Sequence, residues 1–203
     1  MKLAGEYTFE APRDQVWEAL FDPVILASVM PGCEKLELVG ENAYEGLLKI
    51  KVGPVQGKFN GKIQLSDIQE PDSYSMNIDG RGAPGFVRAD AKVQLEDADG
   101  GTLLKYESDA KVGGRVASVG QRLLDSSAKA ITRQSLEGLA QVIHSRVESD
   151  GEESEEPPAI EAPSQAEFAA NVAKEVAKDL IPKPVLIGGI VLLIVVLILM
   201  FAL

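Results

Sequence analysis

The sequence predicts an α+β domain with a helix-grip arrangement in residues 1–147. Apolar and polar residues alternate through most of 36–112, which is typical of antiparallel strands, and a proline-free helical stretch follows at 115–147. Two short helix signals come directly after the first strand. An antiparallel sheet with one polar face must bury its other face, and the long helix is the only cover that the pattern offers. We therefore expect a curved antiparallel sheet wrapped on a long C-terminal helix.

The first part of the chain predicts one strand and two short helices. Apolar or small residues alternate with polar ones in 2–10, and Pro12 ends this strand. Helical spacing of apolar residues follows in 13–20. The Asp-Pro pair at 22–23 is a second helix start signal, and it predicts a short apolar helix that ends near Val29.

The alternating region predicts a meander of strands with one inward face and one polar face. Turn signals divide it at 53–54, 71–72 and 99–101, where the sequence reads Gly-Pro, Pro-Asp and Asp-Gly-Gly. Every second residue of 56–66 is Gln, Lys, Asn or Ser, so this strand has a clearly polar outer face. The long helix that follows has an apolar stripe made of Val116, Val119, Leu123, Ile131, Leu139 and Val142.

Small residues at inward strand positions predict a ligand cavity beneath the long helix. Glycine inside a strand weakens it and fills no space. The alternative is that these glycines only permit curvature and bulges in the sheet. The small inward positions are Gly46, Gly57, Gly61, Gly80, Ala89, Ala91, Ser108 and Ala110. We expect the ligand to contact Leu48, Phe59, Met76, Ala91, Tyr106, Val119, Leu123 and Ser127.

The short apolar helix near 23–29 is the predicted gate of this cavity. It is bounded by turn residues, and helices of this length are marginal without tertiary support, so opening it should cost little. The alternative is that the helix only closes one end of the core. The predicted gate residues are Val24, Ile25, Val29 and Met30.

The residues that carry chemistry predict a binding protein rather than an enzyme. His144 is the single histidine and Cys33 the single cysteine, so a zinc site or a serine–histidine triad lacks its parts. The stretch 80–85 formally matches GxGxxG, but it lies between two predicted strands and contains Pro84, which argues against a dinucleotide site. We expect no catalytic residue, no metal and no covalently bound cofactor.

Charge separates the domain from the tail and argues against nucleic acid as a partner. Of the net charge of −11, residues 1–147 contribute −4, from 21 acidic and 17 basic residues. Residues 148–203 contribute −7, from 10 acidic and 3 basic residues. Neither part is basic enough to attract a phosphate backbone.

The acidic tail predicts a linker followed by an amphipathic helix. Residues 148–163 hold seven acidic residues, three prolines and no basic residue, which predicts an extended, disordered linker. Residues 164–181 begin with a capping box and repeat apolar residues at four-residue spacing, which predicts an amphipathic juxtamembrane helix. That helix lies on the membrane or on a partner, or else simply extends the segment that follows.

Residues 182–203 predict a single transmembrane tail anchor. The uncharged run 184–203 has the ~20 residues that cross a hydrocarbon core of about 30 Å. Three lysines precede it, and the positive-inside rule then places the main domain in the cytoplasm. The expected location is therefore the cell membrane, crossed once. A buried core helix is the alternative, but apolar residues on every face of the run argue against it.

Four stretches resemble the G-subunit family of carbon monoxide dehydrogenase (CoxG), and the resemblance covers essentially residues 1–147. They are MKLAGEYTFEAPRDQVWEALFDP at 1–23, MPGCEKLE at 30–37, VGPVQGKFNGKIQLSDIQEPDSY at 52–74 and GGTLLKYESDAKVGGRVASVGQRLLDSSAK at 100–129. The elements GCE, VGPV and VGGR with GQRL are specific in combination.

This resemblance implies a START-like (SRPBCC) helix-grip fold, whose members hold lipids and other apolar molecules in a cavity. It also implies membrane attachment, handling of a quinone, and association with a CO dehydrogenase-type molybdenum hydroxylase. The expected function is a membrane-tethered protein that binds menaquinone, ubiquinone or an apolar lipid and links that enzyme to the membrane. The alternative is a ligand-free docking protein that recruits a cytoplasmic oxidoreductase. An enzyme of the polyketide-cyclase kind is a more distant third.

Deleting residues 182–203 is expected to move the protein into the soluble fraction, because the rest of the chain has no comparable uncharged run. Ultracentrifugation of membranes in high salt measures this, with the full chain as the control. A truncated chain that still sediments with membranes would contradict a single span as the main attachment.

Overall fold

The alternating residues form one antiparallel sheet of seven strands, in a computed structural model that describes residues 1–149. The strands are β1 Lys2–Phe9, β2 Cys33–Gly40, β3 Ala43–Val52, β4 Val55–Gln69, β5 Ser73–Gly82, β6 Gly85–Ala98 and β7 Gly101–Gly113. Their order in the sheet is β1-β7-β6-β5-β4-β3-β2, so β2 to β7 form a meander and β1 pairs with the last strand.

Three α-helices and one 3₁₀ helix complete the fold. The α-helices are α1 Arg13–Phe21, α2 Pro23–Val29 and α3 Gln121–Ser149, and the 3₁₀ helix is Arg115–Val119. Two short helices therefore follow the first strand, and a long helix follows the curved sheet. This is the helix-grip arrangement that the sequence predicts.

The predicted turns join consecutive strands. Gly53-Pro54 connects β3 to β4, and Asp99-Gly100 connects β6 to β7. Both glycines have positive φ, 56° and 82°, which glycine adopts without steric cost. The GxGxxG match at 80–85 forms the hairpin between β5 and β6, so it lies between two strands as expected.

The strand register gives the sheet one inward and one outward face. Ala91 of β6 lies between Met76 of β5 and Ser108 of β7, and residues two positions along each strand point the same way. The alternate residues point outwards and are exposed, as Asn60 and Lys62 of β4 illustrate. The inward residues are the ones that the alternation predicts.

Asp22 and Pro23 start α2 as the sequence predicts. Asp22 Oδ1 accepts hydrogen bonds from the backbone N–H groups of Val24 and Ile25 at 2.8 and 3.2 Å. Pro23 occupies the first turn, where its missing N–H leaves no partner unsatisfied. Arg146 near the end of α3 lies 3.6 Å from the second Asp22 oxygen, so an ion pair connects the two helices.

Aromatic packing closes one end of the domain. The Trp17 ring stacks on Phe21 with 4.6 Å between centroids, and Tyr74 meets these rings edge-on at 5.7 and 5.2 Å. Tyr44 Oη donates a hydrogen bond of 3.0 Å to the carbonyl oxygen of Phe21. We refer to this cluster as the main core. Its buried members are Phe9, Ala11, Val16, Trp17, Ala19, Ile25, Val29, Tyr44, Leu65, Tyr74, Val93, Leu95, Leu104, Leu139, Val142 and Ile143.

The long helix begins later than its apolar stripe predicts, at Gln121. Arg115–Val119 form the 3₁₀ helix, and Gly120 then adopts a φ of 91°, which interrupts the α-helical path. The Val116 N–H donates to the carbonyl oxygen of Pro84 at 2.9 Å and ties the 3₁₀ helix to the β5–β6 hairpin. The prediction that both valines of this segment belong to the long helix is therefore wrong.

Two close contacts fix α3 on the rest of the domain. Near its start, Leu123 packs on Gly53 at the β3–β4 turn, where an added Cβ would lie 2.8 Å from Leu123 Cδ2. Further along, Gly138 meets Val29 of α2, and an added Cβ would lie 3.1 Å from the valine Cβ. The missing side chains at these two glycines allow the close approach.

The predicted tail segments lie almost entirely outside the described residues. Glu148 and Ser149, the first two residues of the predicted linker 148–163, continue α3. The juxtamembrane helix predicted at 164–181 and the anchor predicted at 182–203 are not described. Within 1–149, no helix has the length and apolarity needed to cross a membrane.

Thr102 provides a test of the packing. Its side chain is 0 % exposed, and its Oγ1 donates a hydrogen bond of 2.7 Å to the carbonyl oxygen of Ala11. Thr102→Val keeps the shape but removes the donor, so we expect the free energy of unfolding to fall by about 1–3 kcal/mol. Urea unfolding measures the change, with Thr8→Val at an exposed position of β1 as the control. Equal stability of the two variants would contradict this hydrogen bond.

Candidate functional site

The apolar interior is divided into two parts along α3. The C-terminal half of the helix contributes Leu139 and its neighbours to the main core. Near its start, buried Ala130 packs with half-buried Leu123 and Ile131 in a second, smaller cluster. The stretch of α3 between these clusters therefore crosses the middle of the sheet.

Many inward residues of the sheet are only half-buried, while Phe59, Ala89 and Ala110 among them are buried. Close packing of a protein interior normally buries such residues completely. Their partial exposure indicates that α3 does not completely cover this face of the sheet, although Ile63 and Met76 also pack against the main core. The half-buried inward residues are Leu48, Ile50, Ile63, Met76, Ile78, Val87, Ala91, Ser108 and Val112. We refer to the space that they line as the hollow.

A row of glycines crosses the inner surface of the hollow. Gly46 of β3 pairs with Gly61 of β4, which pairs with Gly80 of β5. A Cβ added at Gly61 would meet only the Gly46 carbonyl oxygen, at 3.9 Å, and one added at Gly80 only the Val87 carbonyl oxygen, at 3.7 Å. No side-chain atom lies within 4 Å of an added Cβ at these two positions, although Gly80 itself is buried. We refer to these three residues as the glycine row.

The glycine at 57 has a different role from the one that the sequence predicts. A Cβ at Gly57 would overlap the ring of Pro84, which is itself fully buried. The proline folds back from the β5–β6 hairpin and occupies the space that the small residue leaves. Gly57 therefore serves close packing and does not contribute to the hollow. Gly46 is partly covered, because Leu36 Cδ1 would lie 3.2 Å from a Cβ added there.

The predicted cavity residues lie in four places. Met76 and Ala91 are direct neighbours in the middle of the sheet, and Leu48 and Phe59 are neighbours further towards the β3–β4 turn. Tyr106 packs over Gly5 beside the main core. At the other end, Val119, Leu123 and Ser127 lie on the 3₁₀ helix and the start of α3. Their role as ligand contacts stays a prediction.

Several residues that line the hollow are absent from the predicted set. These residues are inward and half-buried, and the same alternation that predicted their neighbours also predicts their inward position. They are Ile50, Ile63, Ile78, Val87 and Val112. The alternation predicts which residues point inwards, but it does not predict whether an inward residue lines the hollow or packs in a filled core.

The predicted gate helix is mostly anchored. Val24 is 63 % exposed and Met30 is half-buried, but Ile25 and Val29 belong to the main core. Exposing one such side chain costs about 1.5–3 kcal/mol, so opening α2 is more expensive than its length alone indicates. The gate stays a prediction, with Val24 as its exposed member.

Three tyrosines in or against the main core have neutral phenol groups. Burial raises the pKa of Tyr106. Burial also raises the pKa of Tyr7, with a smaller contribution from the charges of Glu137 and Glu10. Burial likewise raises the pKa of Tyr74. These phenols therefore remain protonated at neutral pH, and their hydroxyl groups act as neutral hydrogen-bonding groups.

Among residues 1–149, no group of three or more His, Cys, Asp or Glu side chains is placed to hold a metal ion. His144 is exposed on α3. Burial raises the pKa of the half-buried Cys33 thiol, partly offset by a backbone hydrogen bond at Lys35, so the thiol form is favoured.

An open groove on the outer face of the sheet, of about 490 Å³, is chemically different from the hollow. It is lined by charged side chains that neutralise one another. The three basic and three acidic side chains of the lining cancel, so the groove offers a ligand no net charge. The ion pairs are Lys35–Glu37, Lys62–Glu45 and Arg81–Asp79, each at 2.8 Å.

A curved sheet around a long helix, with a neutral and incompletely filled interior, defines a helix-grip domain of the SRPBCC-like class. Residues 5–144 match the model of the carbon monoxide dehydrogenase G-subunit family (CoxG), and the chain belongs to this family. The resemblance identified from the sequence is therefore confirmed over nearly the whole domain. Family and fold together point to a ligand-binding or adaptor role, and the family's name points to association with CO dehydrogenase.

Solved structures share this fold. A conserved protein from Geobacillus kaustophilus is 35 % identical, with a TM-score of 0.69 over 71 % of this chain and 96 % of its own. A Thermus thermophilus protein is 12 % identical, with a TM-score of 0.57 over 72 % and 99 %. The protein Ara h 8.0201 is 17 % identical, with a TM-score of 0.55 over 71 % and 98 %. The latter two show the fold alone. No curated protein sequence matches the chain.

Alanine at two inward glycines is expected to have opposite effects on stability. Gly61→Ala places a methyl group in open space and restricts the unfolded chain, so it should raise the free energy of unfolding by about 0.4–1 kcal/mol. Gly57→Ala collides with Pro84 and should lower it by about 1–3 kcal/mol. Urea unfolding of both variants measures the difference. A clear loss of stability in Gly61→Ala would mean that the glycine row is covered.

Proposed function

We propose that this domain binds a neutral apolar molecule in the hollow, either a quinone such as menaquinone or ubiquinone, or a lipid. The observation that carries the proposal is the glycine row, because no side-chain atom lies within 4 Å of a Cβ added at Gly61 or Gly80. The half-buried aliphatic residues around the row offer an apolar surface. Each methylene group that a ligand buries there contributes roughly 0.8 kcal/mol.

The proposed partner is a molybdenum hydroxylase of the CO dehydrogenase type, and support for it comes from the family to which the chain belongs. The chain itself has one cysteine and one histidine. Iron–sulfur clusters are typically held by four cysteine thiolates, so we propose that the redox chemistry belongs to the partner. In this proposal the domain presents a molecule to that enzyme and is not an enzyme.

The proposed membrane tether keeps the hollow near the bilayer that supplies its ligand. Residues 182–203 would cross the membrane, with the main domain in the cytoplasm. A linker the length of 148–163 has an r.m.s. reach of roughly 20–25 Å. The domain would therefore sample the membrane surface and a docked enzyme at high effective concentration.

One observation favours the alternative, a docking protein that recruits the enzyme without binding a ligand. Val24 of α2 is 63 % exposed, and Leu38 and Val39 of β2 are 57 % and 53 % exposed. β2 is an edge strand of the sheet, and unpaired edges are able to pair with another chain. Analysis of the bound ligand separates the two functions.

The test is mass spectrometry of organic extracts from the full chain, purified in detergent. The proposal expects one enriched quinone or lipid species in the unmutated protein. Gly61→Leu and Ala91→Trp fill the hollow, so both should abolish the enrichment while the domain stays folded. Asn60→Leu places a leucine at the neighbouring outward position and is the control that should keep the ligand.

A filled core would respond differently. Gly61→Leu and Ala91→Trp would then overpack the interior and lower the free energy of unfolding by about 1–3 kcal/mol or more. That outcome, together with ligand-free extracts from the unmutated chain, would contradict the hollow as a binding site and favour the docking function.

A further inference from the structure

Two adjacent serines of α3 are buried without a hydrogen-bond partner. Ser126 and Ser127 are 1 % and 2 % exposed, and neither Oγ atom has a partner among the residues that the structure describes. Gln134 Oε1, two turns further along, is also buried and unpartnered. Buried polar groups are normally hydrogen-bonded, so three unpaired atoms on one stretch of helix require an explanation.

Three other helical serines satisfy their hydroxyl groups locally. Ser28, Ser118 and Ser145 each donate to the carbonyl oxygen three residues earlier, at 2.7, 2.6 and 2.9 Å. That bond is open to a helical serine whose rotamer turns the hydroxyl towards the preceding turn. Ser126 and Ser127 do not make it, so their hydroxyl groups are available to another partner.

The three unpartnered groups lie on the side of α3 that faces the sheet. Leu123 defines this side, because it packs on Gly53 of the β3–β4 turn. Ser127, Ala130 and Gln134 follow at the i+4, i+7 and i+11 spacing of one helix face, and Ser126 borders that face. Ser126 and Ser127 lie within the stretch of α3 that forms the second cluster, and Gln134 lies between that cluster and the main core.

We propose that Ser126, Ser127 and Gln134 form the polar anchor of the ligand site, an inference that rests on the proposed function. The ligand is then a neutral apolar molecule that carries a carbonyl or hydroxyl oxygen on its ring or chain end. Serine hydroxyl groups donate to a carbonyl oxygen, and Gln134 Oε1 accepts from a hydroxyl group. The anchor therefore accommodates both the oxidised and the reduced form of a quinone-type group. A charged headgroup finds no compensating charge in these three side chains.

Two probes separate hydrogen bonding from apolar burial. Menadione and methylnaphthalene share the same fused ring skeleton, but only menadione carries carbonyl oxygens. Equilibrium dialysis with the full chain in detergent measures the binding of each. The Ser126→Ala/Ser127→Ala double variant should bind menadione roughly 10-fold more weakly, the value of about one neutral hydrogen bond. It should bind methylnaphthalene unchanged. Ser118→Ala, which removes a locally satisfied hydroxyl group, is the matched control and should change neither affinity.

The acceptor role of Gln134 has its own test. Gln134→Leu should weaken binding of reduced menadione, measured without oxygen, by roughly 10-fold, and should affect the oxidised form less. Thermal unfolding of the ligand-free double serine variant adds a structural readout. Because alanine removes two unpaired buried hydroxyl groups, its Tm should stay equal or rise.

Three results would overturn the anchor. The first is equal weakening of menadione and methylnaphthalene binding by the double serine variant. The second is a fall in the Tm of that variant without ligand, and the third is menadione binding by that variant as tight as by the unmutated chain. Each of these results contradicts the anchor and leaves the proposed function standing. If the unmutated chain binds neither probe and its extracts contain no ligand, the proposed function fails and the anchor fails with it.

Discussion

Two close contacts fix α3 on the rest of the domain, and the helix leaves part of the inward sheet face incompletely covered. Leu123 rests on Gly53 at the β3–β4 turn, and Gly138 rests on Val29 of α2. The C-terminal half of α3 also joins the main core through Leu139. Dense burial at that end supplies hydrophobic stabilisation, which offsets the weaker packing in the middle. The hollow therefore exists without a loss of the fold.

The inward glycines show why small size alone does not identify a cavity. Gly57 is covered by the ring of Pro84, and Gly5 is covered by the phenol of Tyr106, so at both positions the small residue makes room for another side chain. Gly61 and Gly80 have only backbone oxygens near the position of an added Cβ. The two kinds of glycine look identical in the alternation of apolar and polar residues. The difference arises from which distant side chain folds back over the strand.

Local patterns predicted most of the fold because period, caps and turns are local properties. The two faces of the sheet, the Asp22 cap of α2 and the glycine turns all follow from neighbours in the chain. The break at Gly120 did not, because it depends on the hydrogen bond between Val116 and Pro84 across the domain. The sequence shows that Ser127 interrupts the apolar stripe of the long helix with a polar residue. That its hydroxyl group is buried and unpartnered is a tertiary property.

In the proposed function the bilayer competes with the hollow for the ligand. Transfer of apolar surface from lipid tails to a protein cavity gains little, because both environments exclude water. A hydrogen bond is different, since the hydrocarbon core has no donor to offer a carbonyl oxygen. The hydroxyl groups of Ser126 and Ser127 would supply that donor in a neutral interior, where burial raises the pKa of Tyr106 and keeps its phenol uncharged. Selection of oxygen-bearing molecules over plain hydrocarbon would then depend on these few polar atoms, while the apolar lining admits both.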